Sequence, residues 1–233
     1  MAISKRDKAG IEGLILTTQF SALLILKLRF VLAAIFLLPF ALQCFAQEAE
    51  LQRIGSAPPF SLTTQDNRPL AWADLRGKPI VLTFIFTRCR SACPVLTAKL
   101  VDIQRRFSLE QKGLPQFVAV SIEPAHDTPD VLKAYANNFG ADLRAWSFLT
   151  GSPAAIAELA RRYAVYVKRQ ADESIDHTFL TSLIDSDGII RVQYQGTQFD
   201  RDEFLSDLRL LVRSGKSTEV SQSETARERS HVQ

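Results

Sequence analysis

The sequence predicts an α/β domain with a central mixed sheet and helices on both faces. Two observations carry this. Short apolar runs rich in β-branched residues alternate with longer segments whose apolar residues recur at helical spacing. The last two apolar runs are then separated by a tight turn and followed by one more amphipathic segment. At 233 residues the chain suffices for one such core with a leader and a tail, and is short for two full domains.

The elements follow in order. Residues 1–46 form a leader, and Gln47 to Pro58 is a polar linker into a domain spanning 59–213. Pro79–Phe86 reads Pro-Ile-Val-Leu-Thr-Phe-Ile-Phe, the pattern of a strand buried on both faces. After Cys93-Pro94, Leu96, Leu100, Ile103 and Phe107 keep helical spacing, and Pro94 suits a first turn that needs no N–H. Phe117–Ile122 is a second buried strand. Thr128-Pro129-Asp130 opens a helix with a capping hydroxyl, a proline and an acid at its positive end; Gly140 closes it. Trp146–Leu149 is a short strand, and Pro153–Tyr163 a helix with Ile156, Leu159 and Tyr163 on one face. Phe179–Ile184 and Ile189–Tyr194 pair across Asp185-Ser186-Asp187-Gly188, a hairpin-type turn. Asp202–Val212 is the last helix, and the polar residues 214–233 are expected to be a disordered tail.

Hydrophobic residues make up 46% of the chain, as in globular proteins. The formal charge of +3 resides in the leader, whose five Lys/Arg outnumber its two acids; from Gln47 onward 23 basic residues balance 23 acidic ones. A neutral body lacks the footprint of a nucleic-acid binder.

Phe30–Leu42 carries no charge, follows Lys27 and Arg29, and precedes Cys44-Phe45-Ala46, a small-x-small site. That layout is a secretory signal. Apolar residues at Leu14–Phe20 and Ala22–Leu26 extend it upstream, so an N-terminal anchor in the inner membrane is the alternative. Cys44 is read as a leader residue, because Gln43 is too bulky for a lipidation signal. Either way the body is exported, periplasmic and soluble or anchored, where thiols meet oxidants.

Chemistry concentrates at Phe84-Ile-Phe-Thr-Arg-Cys89-Arg-Ser-Ala-Cys93-Pro94, which sets two of three cysteines between a buried strand and a helix. Open α/β sheets place ligand sites beyond the carboxyl ends of their strands. The helix N-terminus and the cations of Arg88 and Arg90 are expected to favour thiolate, the form that binds metal and attacks disulfides. A Cys-x-x-x-Cys spacing, with both sulfurs on one face of a first helical turn, makes a better metal clamp than redox pair. Two thiolates and one imidazole select copper, and a low coordination number suits Cu(I); a structural zinc would want a fourth ligand. The three histidines are His126, His177 and His231.

Three pieces of sequence resemble the Sco/SenC family of copper proteins linked to cytochrome c oxidase assembly. They are Phe86-Thr87-Arg88-Cys89 with Cys93-Pro94, then Ser121-Ile122-Glu123-Pro124-Ala125-His126-Asp127-Thr128-Pro129, then Asp176-His177-Thr178 leading to Leu183-Ile184-Asp185. The resemblance spans about residues 55–212 and implies a thioredoxin-like fold. It implies one copper ion held by Cys89, Cys93 and His177, with Asp176 a candidate to orient the His177 ring. His126 is expected only to decorate a loop, Asp127 only to support the start of its helix, and His231 to be inert.

The resemblance also implies a metallochaperone, not an enzyme, that acts on the copper-bearing subunit of the oxidase, with other periplasmic thiol or copper proteins as further candidate partners. Two alternatives stand beside it: a thiol-disulfide oxidoreductase in which Cys89 attacks and Cys93 resolves, and a copper or redox sensor. Where relatives commonly carry Pro-Asp between the cysteines this chain has Arg90-Ser91, which loosens the loop and replaces a negative charge by a positive one.

Overall fold

In the computed structural model the described residues are 51–110, 115–171, 174–213 and 215. The leader, Cys44, His231 and almost all of the expected tail lie outside them.

Strand β4 (Ile80–Ile85) is buried at all six positions, which a strand achieves only when both faces of its sheet are covered. It pairs in parallel with β5 (Gln116–Ser121), and β5 in parallel with β6 (Trp146–Thr150). Helix α1 (Ala92–Glu110) connects the first pair and α2 (Pro129–Phe139) the second. On its other side β4 meets β9 (Leu180–Ile184) antiparallel, and β9 continues by the Asp185–Gly188 turn into β10 (Ile189–Gln195). Gly188 takes φ 82° there, and Asp185 Oδ1 accepts from the N–H groups of Asp187 and Ile189. Helix α3 (Pro153–Arg162) and a final helix over residues 201–213, α4, complete the order the sequence predicts.

The helix boundaries follow the local chemistry. Thr128 Oγ1 accepts from Val131 N, Pro129 fills the first helical position, and Gly140 closes α2 in the left-handed region at φ 64°. Ser152 caps α3 in the same way.

Three elements escape the sequence pattern. The stretch read as a linker is docked at its far end: β1 (Gly55–Ser56) pairs with the β10 edge, Ile54 N donates to Ile190 O, Ala57 N donates to Gly188 O, and Ala57 is buried. Two small residues leave no periodicity to detect. A hairpin of β2 (Ser61–Thr64) and β3 (Pro69–Ala71) completes the eight-stranded order β1-β10-β9-β4-β5-β6-β2-β3, with β2 on β6. The third is a separate two-stranded ribbon of β7 (Val167–Arg169) and β8 (Ile175–His177). All three residues of β7 are exposed, so no apolar alternation announces it.

Candidate metal centre

Where β4 ends, the chain turns across the end of the sheet before α1 begins. Cys89 lies in that turn, outside the helix, with its N–H on Phe86 O. Cys93 is the second residue of α1. The expected i, i+4 pair on one helical face is therefore corrected: the first sulfur sits where a cap would, and Cys93 N donates to Cys89 Sγ at 3.4 Å. A helix N-terminus has unpaired N–H groups, and here a sulfur takes one of them.

The two thiols differ as a result. Burial alone would raise Cys89, but donation from the backbone of Cys93 and Ser91, with smaller side-chain contributions from the same residues, outweighs it and holds the thiol below its ordinary range. Cys93 is fully buried. Burial drives its thiol far up, and the neighbouring Cys89 charge pushes the same way against a bond to the Phe86 backbone. Both are free thiols.

His177 ends β8, 84 residues from Cys93, and its Nε2 lies 3.8 Å from Cys93 Sγ. Its ring packs on Phe86 at 5.7 Å and Phe179 at 4.2 Å between centroids. Burial lowers the ring's pKa, partly offset by its bond to the Thr178 carbonyl, so the imidazole is neutral at pH 7. Nδ1 and the Thr178 carbonyl oxygen are 3.1 Å apart, which assigns the ring proton to Nδ1. The lone pair then rests on Nε2 and faces the sulfur. Cys93 thus lies between Cys89 and His177, and the latter two line an open cleft of about 590 Å³ together with Arg88, Arg90, Ser91 and Phe179. Two soft sulfurs and one neutral imidazole nitrogen suit a soft, low-coordinate cation.

Several neighbours behave differently from expectation. Asp176 does not orient His177; it accepts from Gln170 Nε2, and a backbone carbonyl orients the ring. Arg88 does not simply bias the thiols, because its guanidinium forks onto Glu123. Arg90 is exposed at the rim of the cleft. Asp127 does more than support a helix. Its buried carboxylate accepts from Thr87 N at 3.1 Å, from Thr87 Oγ1 and Ser121 Oγ at 2.5 Å each, and so ties the exit of β4 to the exit of β5. His126 is an exposed loop residue beside that carboxylate.

Local sequence does not reveal the pairing of Glu123 with Arg169. An acid directly after a buried strand, at the carboxyl end of a sheet, was the available signal for Glu123. Nothing marks Arg169, whose role depends on where its ribbon folds.

A thiol pair at a strand-to-helix junction, faced by an imidazole from a separate ribbon, defines a thioredoxin-like soft-metal or dithiol protein. Comparison with known sequences narrows the class. A model of the SCO1/SenC family matches residues 48–213, and the chain belongs to that family. It is 28% identical over 174 residues to the SCO1 protein homolog of Bacillus subtilis, covering 73% of this chain and 90% of that one. Mitochondrial relatives are longer; the chain spans 52% of the Bos taurus SCO2 homolog, at 33% identity over 142 residues and 58% of its own length.

Among solved structures, copper-bound ScoI of Arabidopsis thaliana is similar at 30% identity and a TM-score of 0.59, covering 67% of this chain and 96% of that one. BsSco, described as carrying a disulfide switch and as a member of the Sco family of cytochrome c oxidase assembly proteins, is similar at 28% identity and a TM-score of 0.63, covering 70% and 98%. These likenesses bear out the thioredoxin-like fold. No helix among the described residues is long and apolar enough to cross a membrane.

Proposed function

We propose that this protein is a copper metallochaperone, not an enzyme, that binds one copper ion through Cys89, Cys93 and His177 and serves the maturation of the copper centre of cytochrome c oxidase. The observation that carries the reading is the 3.8 Å approach of a neutral His177 Nε2 to the Cys93 sulfur, which in turn lies one backbone hydrogen bond from Cys89. Copper bound to Arabidopsis ScoI and the oxidase-assembly role of the Sco family support it. The charged and apolar leader supports export, with the periplasm or the outer face of the inner membrane as the place of action.

Copper is cargo here. It enters by the cleft, replaces the thiol protons, and leaves by exchange onto the cysteines of the receiving subunit. His177 is the ligand suited to leave first, since a neutral imidazole gives up a soft ion more readily than a thiolate does. Titration of the reduced, metal-free protein with Cu(I) should saturate at one equivalent. A protein that stays copper-free under excess Cu(I) would sink the reading.

The asymmetry of the two thiols favours a second reading. A lowered, cleft-lining Cys89 beside a buried, protonated Cys93 is the arrangement of an attacking and a resolving cysteine. Cys89 thiolate would attack a partner disulfide, expel one partner thiolate and form a mixed disulfide. Cys93 would then displace the second, leaving Cys89–Cys93 oxidised and the partner reduced by two electrons. That chemistry has no need of His177. If His177→Ala leaves copper affinity and oxidase maturation intact while Cys89→Ser abolishes maturation, the reductase reading replaces the chaperone.

A further inference from the structure

The ribbon that carries His177 is not hydrogen-bonded into the eight-stranded sheet. Its register pairs Val167 with His177, Lys168 with Asp176 and Arg169 with Ile175. Residues opposite one another share a face and neighbours along a strand alternate, so Val167, Arg169, Ile175 and His177 lie on one side of the ribbon. That side looks toward the thiols. Ile175 is buried, His177 reaches Cys93, and Arg169 Nη1 reaches Glu123 Oε1 at 3.4 Å.

Glu123 stands just beyond β5, and its side chain is only 2% exposed. The same carboxylate accepts from Arg88, the residue next to Cys89, through Nε to Oε2 at 3.1 Å and through Nη2 to Oε1. Its backbone N–H is held by Ser121 Oγ, so the carboxylate has a fixed root in the main sheet. One buried anion therefore receives a cation from the cysteine loop and a cation from the histidine arm.

We propose that Glu123 is a positioning residue, an anionic clasp that fastens the His177 arm to the Cys89 loop by accepting from Arg169 and Arg88 together. A carboxylate taken out of water is tolerated only when opposite charge and hydrogen bonds replace its hydration. Burial pushes Glu123 up, but the two guanidiniums overcome it and hold the group ionised. The need is mutual: the anion requires both arginines, and the two segments that bear them are drawn to one point. Arg169 and His177 share a face, so seating the first sets the position of the second. The geometry of the clasp stands by itself, whereas its consequence for copper rests on the proposed function.

The test compares Arg169→Ala, Arg169→Lys, His177→Ala and the Arg169→Ala/His177→Ala double variant in the full-length protein. Amide hydrogen exchange of the metal-free forms reads the arm directly. The amides of Gln170 and Thr178, which bond to Ser174 O and Tyr166 O, should exchange about fivefold faster in Arg169→Ala, with α1 unchanged. Arg169→Lys should restore part of the protection.

A competition titration with Cu(I) reads the consequence. Arg169→Ala should weaken copper retention about fivefold in the parent and not at all in His177→Ala. A purely structural loss would carry over into that background. Unchanged exchange across 167–178 in Arg169→Ala overturns the clasp, as does a copper loss that persists without His177. A parent protein that takes up no Cu(I) overturns the proposed function instead, while the exchange data still decide the clasp. Arg169 is half exposed and Arg88 still pairs with Glu123 when it is truncated, so Arg169→Ala burdens folding less than a change at the buried Glu123.

Discussion

The loop that presents Cys89 and Cys93 leaves the central strand of an eight-stranded sheet, whereas the arm that presents His177 belongs to a two-stranded ribbon beside it. On the loop side the strand is wholly buried, Cys93 sits inside a nineteen-residue helix, and the carboxylate of Asp127 gathers the loop from within. On the arm side β7 is exposed along its length, and the ribbon meets the loop through side chains: His177 on Cys93 and Phe86, Arg169 on Glu123. The difference teaches how a protein can hold a soft ion and still release it. The sulfurs are part of the core, and the imidazole is brought to Cys93 by side-chain contacts of a ribbon outside the main sheet.

The comparison breaks first at the sulfurs. Cys93→Ser replaces a thiolate with a hard hydroxyl at the buried end of the site, and Cu(I) affinity should fall on the order of a thousandfold, about 4 kcal/mol, in a chelator competition. Next is Asp127→Ala, which takes the acceptor from the buried Ser121 hydroxyl and from the half-buried Thr87 N–H. Thermal or urea unfolding should show a loss of about 2–4 kcal/mol, concentrated in the loop half. His177→Ala should do the opposite: copper affinity weakens about tenfold while the unfolding midpoint barely moves. A large stability loss there would mean that the arm belongs to the core.

Smaller effects sharpen the contrast between the two thiols. At pH 7 to 8 an alkylating reagent should modify Cys89 well before Cys93, because the first is shifted toward thiolate and the second is buried and protonated. Peptide mapping at partial reaction checks this; equal labelling would refute the asymmetry. With Cys93 as a ligand, copper uptake also expels its proton, because burial pushes that thiol up. Apparent Cu(I) affinity should therefore rise with pH by about tenfold per unit for that one proton, and more steeply below the Cys89 pKa, where a second is released. A flat profile between pH 6 and 8 would show that Cys93 is not a ligand.

How much of this was legible beforehand varies by region, for physical reasons. Strands buried on both faces announce themselves, and 79–86 and 117–122 were found within a residue or two. Caps were found as well, since Thr128, Pro129 and Gly140 act within a few residues of their own positions. The β2–β3 hairpin and the β7–β8 ribbon were not, because short strands with polar or exposed residues carry no period. Within the site, the expected ligand set Cys89, Cys93 and His177 rests on spacing, softness and the family resemblance, and the structure sets Cys93 against Cys89 on one side and His177 on the other. The roles of the charged neighbours did not follow. Arg88, expected to bias the thiols, pairs with Glu123, and Asp176, expected to orient His177, accepts from Gln170.

The sequence by itself determined the chemistry: two thiols at a strand-to-helix junction, one available imidazole in the right motif, a neutral body and an apolar leader. Residue type and local spacing suffice for that, because softness, helix capping and strand burial are properties of near neighbours. Only the tertiary structure decided which charges meet which. Glu123 reaches Arg88 across 35 residues and Arg169 across 46, and the thiolate bias at Cys89 comes from the backbone of Cys93 at the start of α1 and of Ser91. Charge pairing depends on distances between segments far apart in the chain, and those exist only once the sheet has brought its strand ends to one edge.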